Sequence, residues 1–162
     1  MKIRDIGSKD FEKVFRLVAD VFADTPTAFN FKEIPGKEAF RFLFENKLDM
    51  LSDGTSVDII AEEDGKILAN CEIIRIDKNT GILGIIVGLE NRRAGIGNAL
   101  LKRALLDAGK QGIIRVLAEV SSDNKAGICF LGRNGFVPEK LAQFRQDDSD
   151  FPVRRLTFVK RI

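Results

Sequence analysis

Missing side chains set the first limits on this chain: of 162 residues none is histidine, tyrosine or tryptophan, and two are cysteine. Lack of histidine removes the commonest general base and metal ligand, which excludes serine triads, cysteine–histidine dyads and histidine-bound zinc. Lack of tyrosine denies the chain a phenolic acid and leaves thirteen phenylalanines as its aromatic groups. Cys71 and Cys129 are too few and too isolated for a disulfide framework or a zinc cluster, so both are expected reduced and packed, and no metal is expected. No apolar stretch approaches the roughly 20 residues needed to span a bilayer, and "MKIRDIGSKDF" carries no apolar signal core. The expected setting is therefore cytoplasmic, with no membrane partner. Long basic runs are missing too: 26 Lys and Arg against 24 Asp and Glu leave a net charge of +2 spread along the chain. That distribution argues against nucleic acid as a partner.

What is present suits one globular domain over residues 1–162, with 44% hydrophobic residues to build a core. "MKIRDI" alternates as a first strand, and Ser8 is placed to cap a helix that carries Phe11, Val14, Phe15, Val18, Val21 and Phe22 and runs to about Ala23. Asp24 to Lys37, with Pro26 and Pro35, reads as an irregular connection. A second helix follows with Phe40, Leu43, Phe44, Leu48 and Leu51 at helical spacing. "SVDIIAEE" and "KILANCEIIRID" flank Asp64-Gly65, a pair that accepts the positive dihedrals of a tight hairpin. "GILGIIVGL", β-branched and apolar on both faces, reads as a buried fourth strand. Then come a helix with Leu100, Leu101, Ala104, Leu105 and Ala108 on its packing face, a fifth strand "IIRVLAEV", and a fourth helix near Lys125 to Arg133. "FVPEKLAQF" and "FPVRRLTFVKRI" give two closing strands around the acidic loop "RQDDSD". The order is a mixed α/β (α+β) pattern with one crossover.

The segment between the fourth strand and the third helix, "NRRAGIGNALLKRAL", sets two arginines and two glycines where a helix must start. A helix N-terminus presents unpaired amides and about half a positive charge, so it stabilises an anion. Gly95 and Gly97 allow close backbone approach, and Arg92 and Arg93 add countercharge, which suits phosphate. Glycines that merely tighten the turn are the plain alternative. A dinucleotide loop would place its third glycine at Leu100, and a Walker loop needs a Gly-Lys-Ser/Thr that does not follow.

Beyond that loop, "IIVGLENRRAGIGNALL" resembles motif A of the GNAT N-acetyltransferase superfamily, in which a buried strand precedes Arg/Gln-x-x-Gly-x-Gly/Ala at a helix start. Arg92, Gly95 and Gly97 fill the fixed positions. "LAEVSSDNKAGICFLGRNGF" resembles the next segment of the family, with Asn124, Gly127, Phe130, Gly135 and Phe136 in place, so the likeness covers about residues 56 to 140. It implies a GNAT fold: a mostly antiparallel mixed sheet of about seven strands, splayed between the fourth and fifth, with about four helices. It also implies acetyl-CoA as cofactor, with the pyrophosphate on the amides of Arg93, Ala94, Gly95, Ile96, Gly97 and Asn98. The pantetheine arm would run beside Ile85, Ile86 and Val87, and Asn124 would contact the cofactor near its thioester. The implied reaction is direct acetyl transfer to a primary amine, of a small molecule or a peptide N-terminus, and dimers are frequent in the family.

Direct attack needs a neutral amine. At pH 7 deprotonation costs about 4.6 kcal/mol for a lysine-like amine of pKa about 10.4 and about 1 kcal/mol for an α-amine of about 7.8. Glu119, in "LAEV", matches the glutamate that serves as base in ribosomal-protein N-terminal acetyltransferases; Glu72 on the third strand and a chain of waters are the other candidates. The fourth strand carries no carboxylate. At Leu131 the family usually has a tyrosine that protonates the departing thiolate, and this chain departs from the pattern. Cys129 is read as a packing thiol rather than its substitute. A catalytically weak acyl-CoA sensor is the competing reading. Phe29 and Phe31 are expected to line the acceptor pocket, Phe40 and Phe44 to pack the core, and Arg154, Arg155, Lys160 and Arg161 to sit on a solvated strand edge.

Overall fold

The computed structural model describes residues 1–29, 33–139 and 155–162. Among these residues seven strands form one sheet: β1 (Lys2–Asp5), β2 (Ser56–Glu63), β3 (Lys66–Arg75), β4 (Thr80–Val87), β5 (Arg115–Ser121), β6 (Val137–Pro138) and β7 (Arg155–Arg161). Their spatial order is β1-β2-β3-β4-β5-β7-β6, and every pairing is antiparallel except β4 with β5. Among the described residues four α-helices accompany it: α1 (Phe11–Asp24), α2 (Lys37–Ser52), α3 (Ile96–Lys110) and α4 (Lys125–Arg133). The parallel β4–β5 pair requires a crossover, which α3 supplies. Among the described residues no helix is long and apolar enough to cross a membrane.

Period-two alternation, interrupted by a register shift at Ala61/Glu62 that turns Ile67 to the other face, sorts the strand residues into two cores. Val57, Ile59, Ala61, Ala69, Cys71, Ile73, Leu83, Val116, Ala118 and Val120 meet Leu100, Leu101, Ala104 and Ala108 of α3 and Leu131 of α4. Ile60, Ile67 and Ile86 on the other face meet Phe11, Val14, Leu17, Val18 and Val21 of α1 and Phe44 of α2. The phenylalanines tie those two helices together, with Phe11 and Phe44 edge-to-face at 5.5 Å and Phe15 and Phe40 at 5.1 Å between ring centroids. Helices on both faces explain why β2 is buried from Ser56 through Ala61 without a break. At the β2–β3 hairpin Asp64 and Gly65 both take positive φ, +48° and +76°, as the sequence pair predicts.

Three local expectations are corrected. Ser8 does not cap α1: it opens a short 3₁₀ turn, Ser8–Asp10, and α1 begins at Phe11. The carboxylate of Asp10 instead accepts from the Gly7 amide at 2.8 Å and from both terminal nitrogens of Arg4 at 2.7 and 2.9 Å. Arg4 also reaches Glu62, so one guanidinium joins β1, the turn and β2. β7 is not an edge, because it lies between β5 and β6. Its Arg155 donates to the Phe29 carbonyl at 2.5 Å and its Lys160 to the Asn134 carbonyl at 2.8 Å, so these cations fasten loops rather than merely face water. β4, expected to be buried, is only half-buried from Gly84 onward, where β5 no longer pairs with it. Of the closing strand read in "FVPEKLAQF", Val137–Pro138 is strand, and the rest beyond Glu139, with the acidic loop, Phe31 and Arg154, lies outside the described residues.

Candidate functional site

Gly88 ends β4 by donating its amide to the Leu68 carbonyl at 2.8 Å, and a side chain there would stand 3.1 Å from that same oxygen. A 3₁₀ turn, Leu89–Asn91, then carries the chain sideways to the start of α3. Two left-handed residues complete the reversal, Arg93 at φ +64° and Gly95 at φ +81°. For arginine that conformation is strained, and such strain concentrates where a binding surface is held in shape. Among the described residues, the amides of Arg93, Ala94, Gly95, Ile96, Gly97 and Asn98 donate to no acceptor of the chain. The Ile96 side chain is buried beneath them, so its amide is what this residue offers the loop. These six predicted residues thus bring unpaired amide donors together at one helix N-terminus, an arrangement that favours an anion.

The flanking predictions resolve differently. Arg92 turns away from the amides toward the C-terminus of α1, where its Nη1 lies 3.1 Å from Asp24 Oδ2. Gly97 sits against Phe130 and Val87, where an added Cβ would meet ring carbon Cε2 at 3.3 Å and Cγ2 at 3.4 Å. Asn98 accepts from Asn134 at 3.0 Å, which ties the first turn of α3 to the end of α4. Asn124 is the N-cap of α4, its Oδ1 accepting from the Gly127 amide at 2.8 Å. A Cβ on Gly127 would be 2.9 Å from Asn124 Nδ2 and 3.0 Å from Val120, which explains the small residue three positions on.

β4 and β5 pair from Thr80↔Arg115 to Leu83↔Ala118 and no further. From Gly84 to Val87 the β5 side of β4 is therefore without a partner strand, although β3 still pairs on the other side. Ile85 and Val87 point to the α3 core and Ile86 to the α1 core. The predicted splay is thus present, with all three predicted pantetheine neighbours along its rim.

The α1–α2 side of the sheet carries a polar row that the sequence shows only in part. Asp58 pairs with Glu72, and Glu72 with Gly84, in register across β2, β3 and β4. One step past Leu83↔Ala118, Glu119 of β5 falls at the same level, half-buried, and paired with Thr157 of β7. Glu72 leans over β4, since a Cβ on Gly84 would stand 2.9 Å from its Oε1. Its other oxygen accepts from Lys47 of α2 at 2.5 Å. Asp58, 2% exposed, accepts from Asn70 Nδ2 at 2.5 Å through Oδ1. Burial, then the charge of Glu72, pushes the Asp58 carboxyl up to about 7, against the pull of Asn70 and Lys47. For Lys47 burial opposes the charge, but Glu72 outweighs it and the ammonium is held above its ordinary value. Asp58 was missed as a site residue because "SVDIIAEE" looks like ordinary alternation; a carboxylate inside a strand covered on both faces was the available signal.

Leu131, where the family places its phenol, is 5% exposed in the α3-side core, so an aliphatic packing residue occupies that position. The expectation that both cysteines are packed holds for Cys71 alone; Cys129 is exposed on the outer side of α4, away from the Ile128 and Leu131 stripe. Phe29 packs against Phe22 at 5.7 Å, and Phe44 is core as expected. Among the described residues no cluster of three or more potential ligands could hold a metal.

Comparison with known proteins gives the same geometry a context. Residues 18–136 match the model of the acetyltransferase (GNAT) family. No curated protein matches the chain in sequence. Among solved structures, a ribosomal-protein-alanine N-acetyltransferase from Brucella melitensis superposes with a TM-score of 0.85 at 17% identity over 100% of both chains. The PaiA N-acetyltransferase of Thermoplasma acidophilum, solved with coenzyme A, gives 0.80 at 20% identity over 99% of this chain and 98% of that one. YncA of Salmonella typhimurium, solved with acetyl-CoA, gives 0.83 at 15% over 99% and 93%. At these identities the likeness carries the fold, whereas the family match spans most of the chain. With its crossover helix opening on a turn of free amides beside a splayed parallel pair, this chain belongs to the GNAT acetyltransferase family, whose cofactor is acetyl-CoA.

Proposed function

We propose that the chain transfers an acetyl group directly from acetyl-CoA to a primary amine, either of a small molecule or of a peptide N-terminus. The observation that carries this reading is the set of six unpaired amides from Arg93 to Asn98 at the mouth of the β4–β5 splay. Those amides hold the pyrophosphate, with Arg93 adding charge and Arg92 available from its exposed pair with Asp24. The free side of β4 at Ile85, Ile86 and Val87 orients the extended arm, and Asn124 stiffens the start of α4 beside it. Bound acetyl-CoA supplies an acyl thioester, whose thiol has an ordinary pKa of about 8.5 and leaves tolerably as an anion.

The acceptor enters from the α1–α2 side, where the carboxylates of Glu72 and Glu119 share one row. Negative charge there draws in an ammonium and takes its proton, so that nitrogen attacks as a neutral amine. With an aliphatic residue at position 131, the departing sulfur takes its proton from the amine or from water. That same aliphatic position favours a second reading, a CoA-binding sensor with little turnover.

The discriminating experiment incubates the protein with acetyl-CoA and, separately, lysine, 1,4-diaminobutane and a peptide with a free N-terminal alanine, following thiol release. Transfer reads as release that requires an amine. Micromolar CoA binding with no release above the amine-free rate on any probe selects the sensor.

A further inference from the structure

Glu72 has features that Glu119 lacks. It is anchored by Lys47 at 2.5 Å, it lies over a position where β4 has no side chain, and it is backed by a second, buried carboxylate on the neighbouring strand. Glu119 has no such anchor among the described residues. We infer that Glu72 accepts the proton of the acceptor ammonium and shares it with Asp58, with Lys47 as positioning residue and Gly84 as the gap that lets a β3 carboxylate serve where β4 has none.

The charge balance of the cluster supports this. Lys47 neutralises one carboxylate, and the second remains without a countercharge in a buried setting, so the cluster readily takes up one proton. Asp58 is where it rests: Oδ1 accepts from Asn70, while Oδ2 receives no hydrogen bond among the described residues. Burial pushes this carboxyl up to about 7, close to the pH at which an acceptor of protons works best. The other titratable group on this face is Glu119 from β5; the Cys71 thiol lies on the opposite, α3-side face, where burial, then the charge of Glu72 and Asp58, pushes it up. Just past β1 the neighbour is Ile6, whose amide donates to the Asp58 carbonyl, and α1 presents Val14, Leu17 and Val21 to this face.

The step balances with no further reactant. An ammonium N–H bond breaks and an O–H bond forms on Glu72; the freed lone pair makes the C–N bond to the acetyl carbon as the C–S bond breaks. A second nitrogen proton goes to sulfur, and the proton on the pair returns to water.

The inference rests on the transfer reading, so its test keeps the two apart. Turnover with the amine probe that wild type uses best is compared across pH, beside calorimetry of CoA binding. Glu72→Gln is expected to lower kcat by about 10²- to 10⁴-fold with CoA affinity within about twofold. Lys47→Met removes a positive charge from the pair and is expected to move the acid limb of kcat to higher pH; Asp58→Asn removes a negative one and is expected to move it lower. Loss of a side chain that merely packs would not give opposed shifts. Difference infrared titration of the unliganded protein should show a neutral carboxyl band disappearing near pH 7 in wild type and absent in Asp58→Asn. A Glu72→Gln enzyme with wild-type kcat and pH profile overturns the assignment, as does wild type without that band. A wild type that shows the band and turns over no probe instead overturns the transfer reading.

Discussion

Gly97 concentrates the cofactor argument in a single position. It lies within the free amides and touches Phe130, so size and charge can be tested separately there. Gly97→Ala asks a ring carbon at 3.3 Å to give by a few tenths of an ångström, and CoA affinity is expected to stay near wild type. Gly97→Glu sets a carboxylate beside a diphosphate, a like-charge contact that costs several kcal/mol, so the dissociation constant in calorimetry should rise at least about 100-fold. Equal losses in the two variants, at unchanged melting temperature, would mean that packing and not charge governs the loop. Residues of this kind were legible in the sequence because a glycine-rich helix start is a local signal. Asp58, Glu72 and Lys47 were legible only in part, because a strand register and a helix docking, 11 to 25 residues apart in sequence, bring them together.

At the scale of elements, Arg4 holds the first strand to the rest. Its fork on Asp10, which is 3% exposed, together with its bond to Glu62, fixes β1, the turn before α1 and β2 in one arrangement. Arg4→Ala leaves a buried carboxylate without its partner and is expected to cost about 3 kcal/mol in denaturant unfolding; a loss under about 0.5 kcal/mol would show the network to be ornamental. The hydrogen bond from Arg4, against the opposing effect of burial, holds the Asp10 carboxyl below its ordinary 3.8. Its folded pKa is lowered, so this contribution is present above the unfolded value and is lost as pH falls through the folded one. The helices themselves were readable from their spacing, down to the packing face of α3. What misled was context. Ser8 has the residue type of a cap but Asp10 has the partner, and β7 looks like an edge because its basic residues do not reveal the strand order. The exposed side of Cys129 was implicit in the spacing of Ile128 and Leu131.

For the whole molecule, the buried pair between the sheet and α2 sets a second pH dependence of opposite sign. Asp58 has an ordinary value of 3.8 and is pushed up to about 7 by burial, so between those limits the unfolded chain has lost a proton that the folded one keeps. Stability is therefore expected to fall as pH rises through that window, and to level off above it. Asp58→Asn should flatten the fall, checked by chemical unfolding of both proteins at intervals from pH 4 to pH 8; parallel curves would place the charge elsewhere. Overall topology was legible because the β-α-β crossover and the hairpin each carry their own local signature, and the family resemblance joined them. The opening between β4 and β5 was not readable from composition, since "GILGIIVGL" has the residues of a buried strand and is only half-buried from Gly84 because pairing with its neighbour ends at Ala118.

In the proposed function the amides from Arg93 to Asn98 bind the diphosphate of the cofactor, and amide-resolved NMR of labelled protein titrated with coenzyme A reads that contact residue by residue. These six N–H signals are expected to move furthest, with those of Ile85, Ile86 and Val87 following. Saturable binding that leaves the six unmoved while another part of the molecule shifts would contradict it.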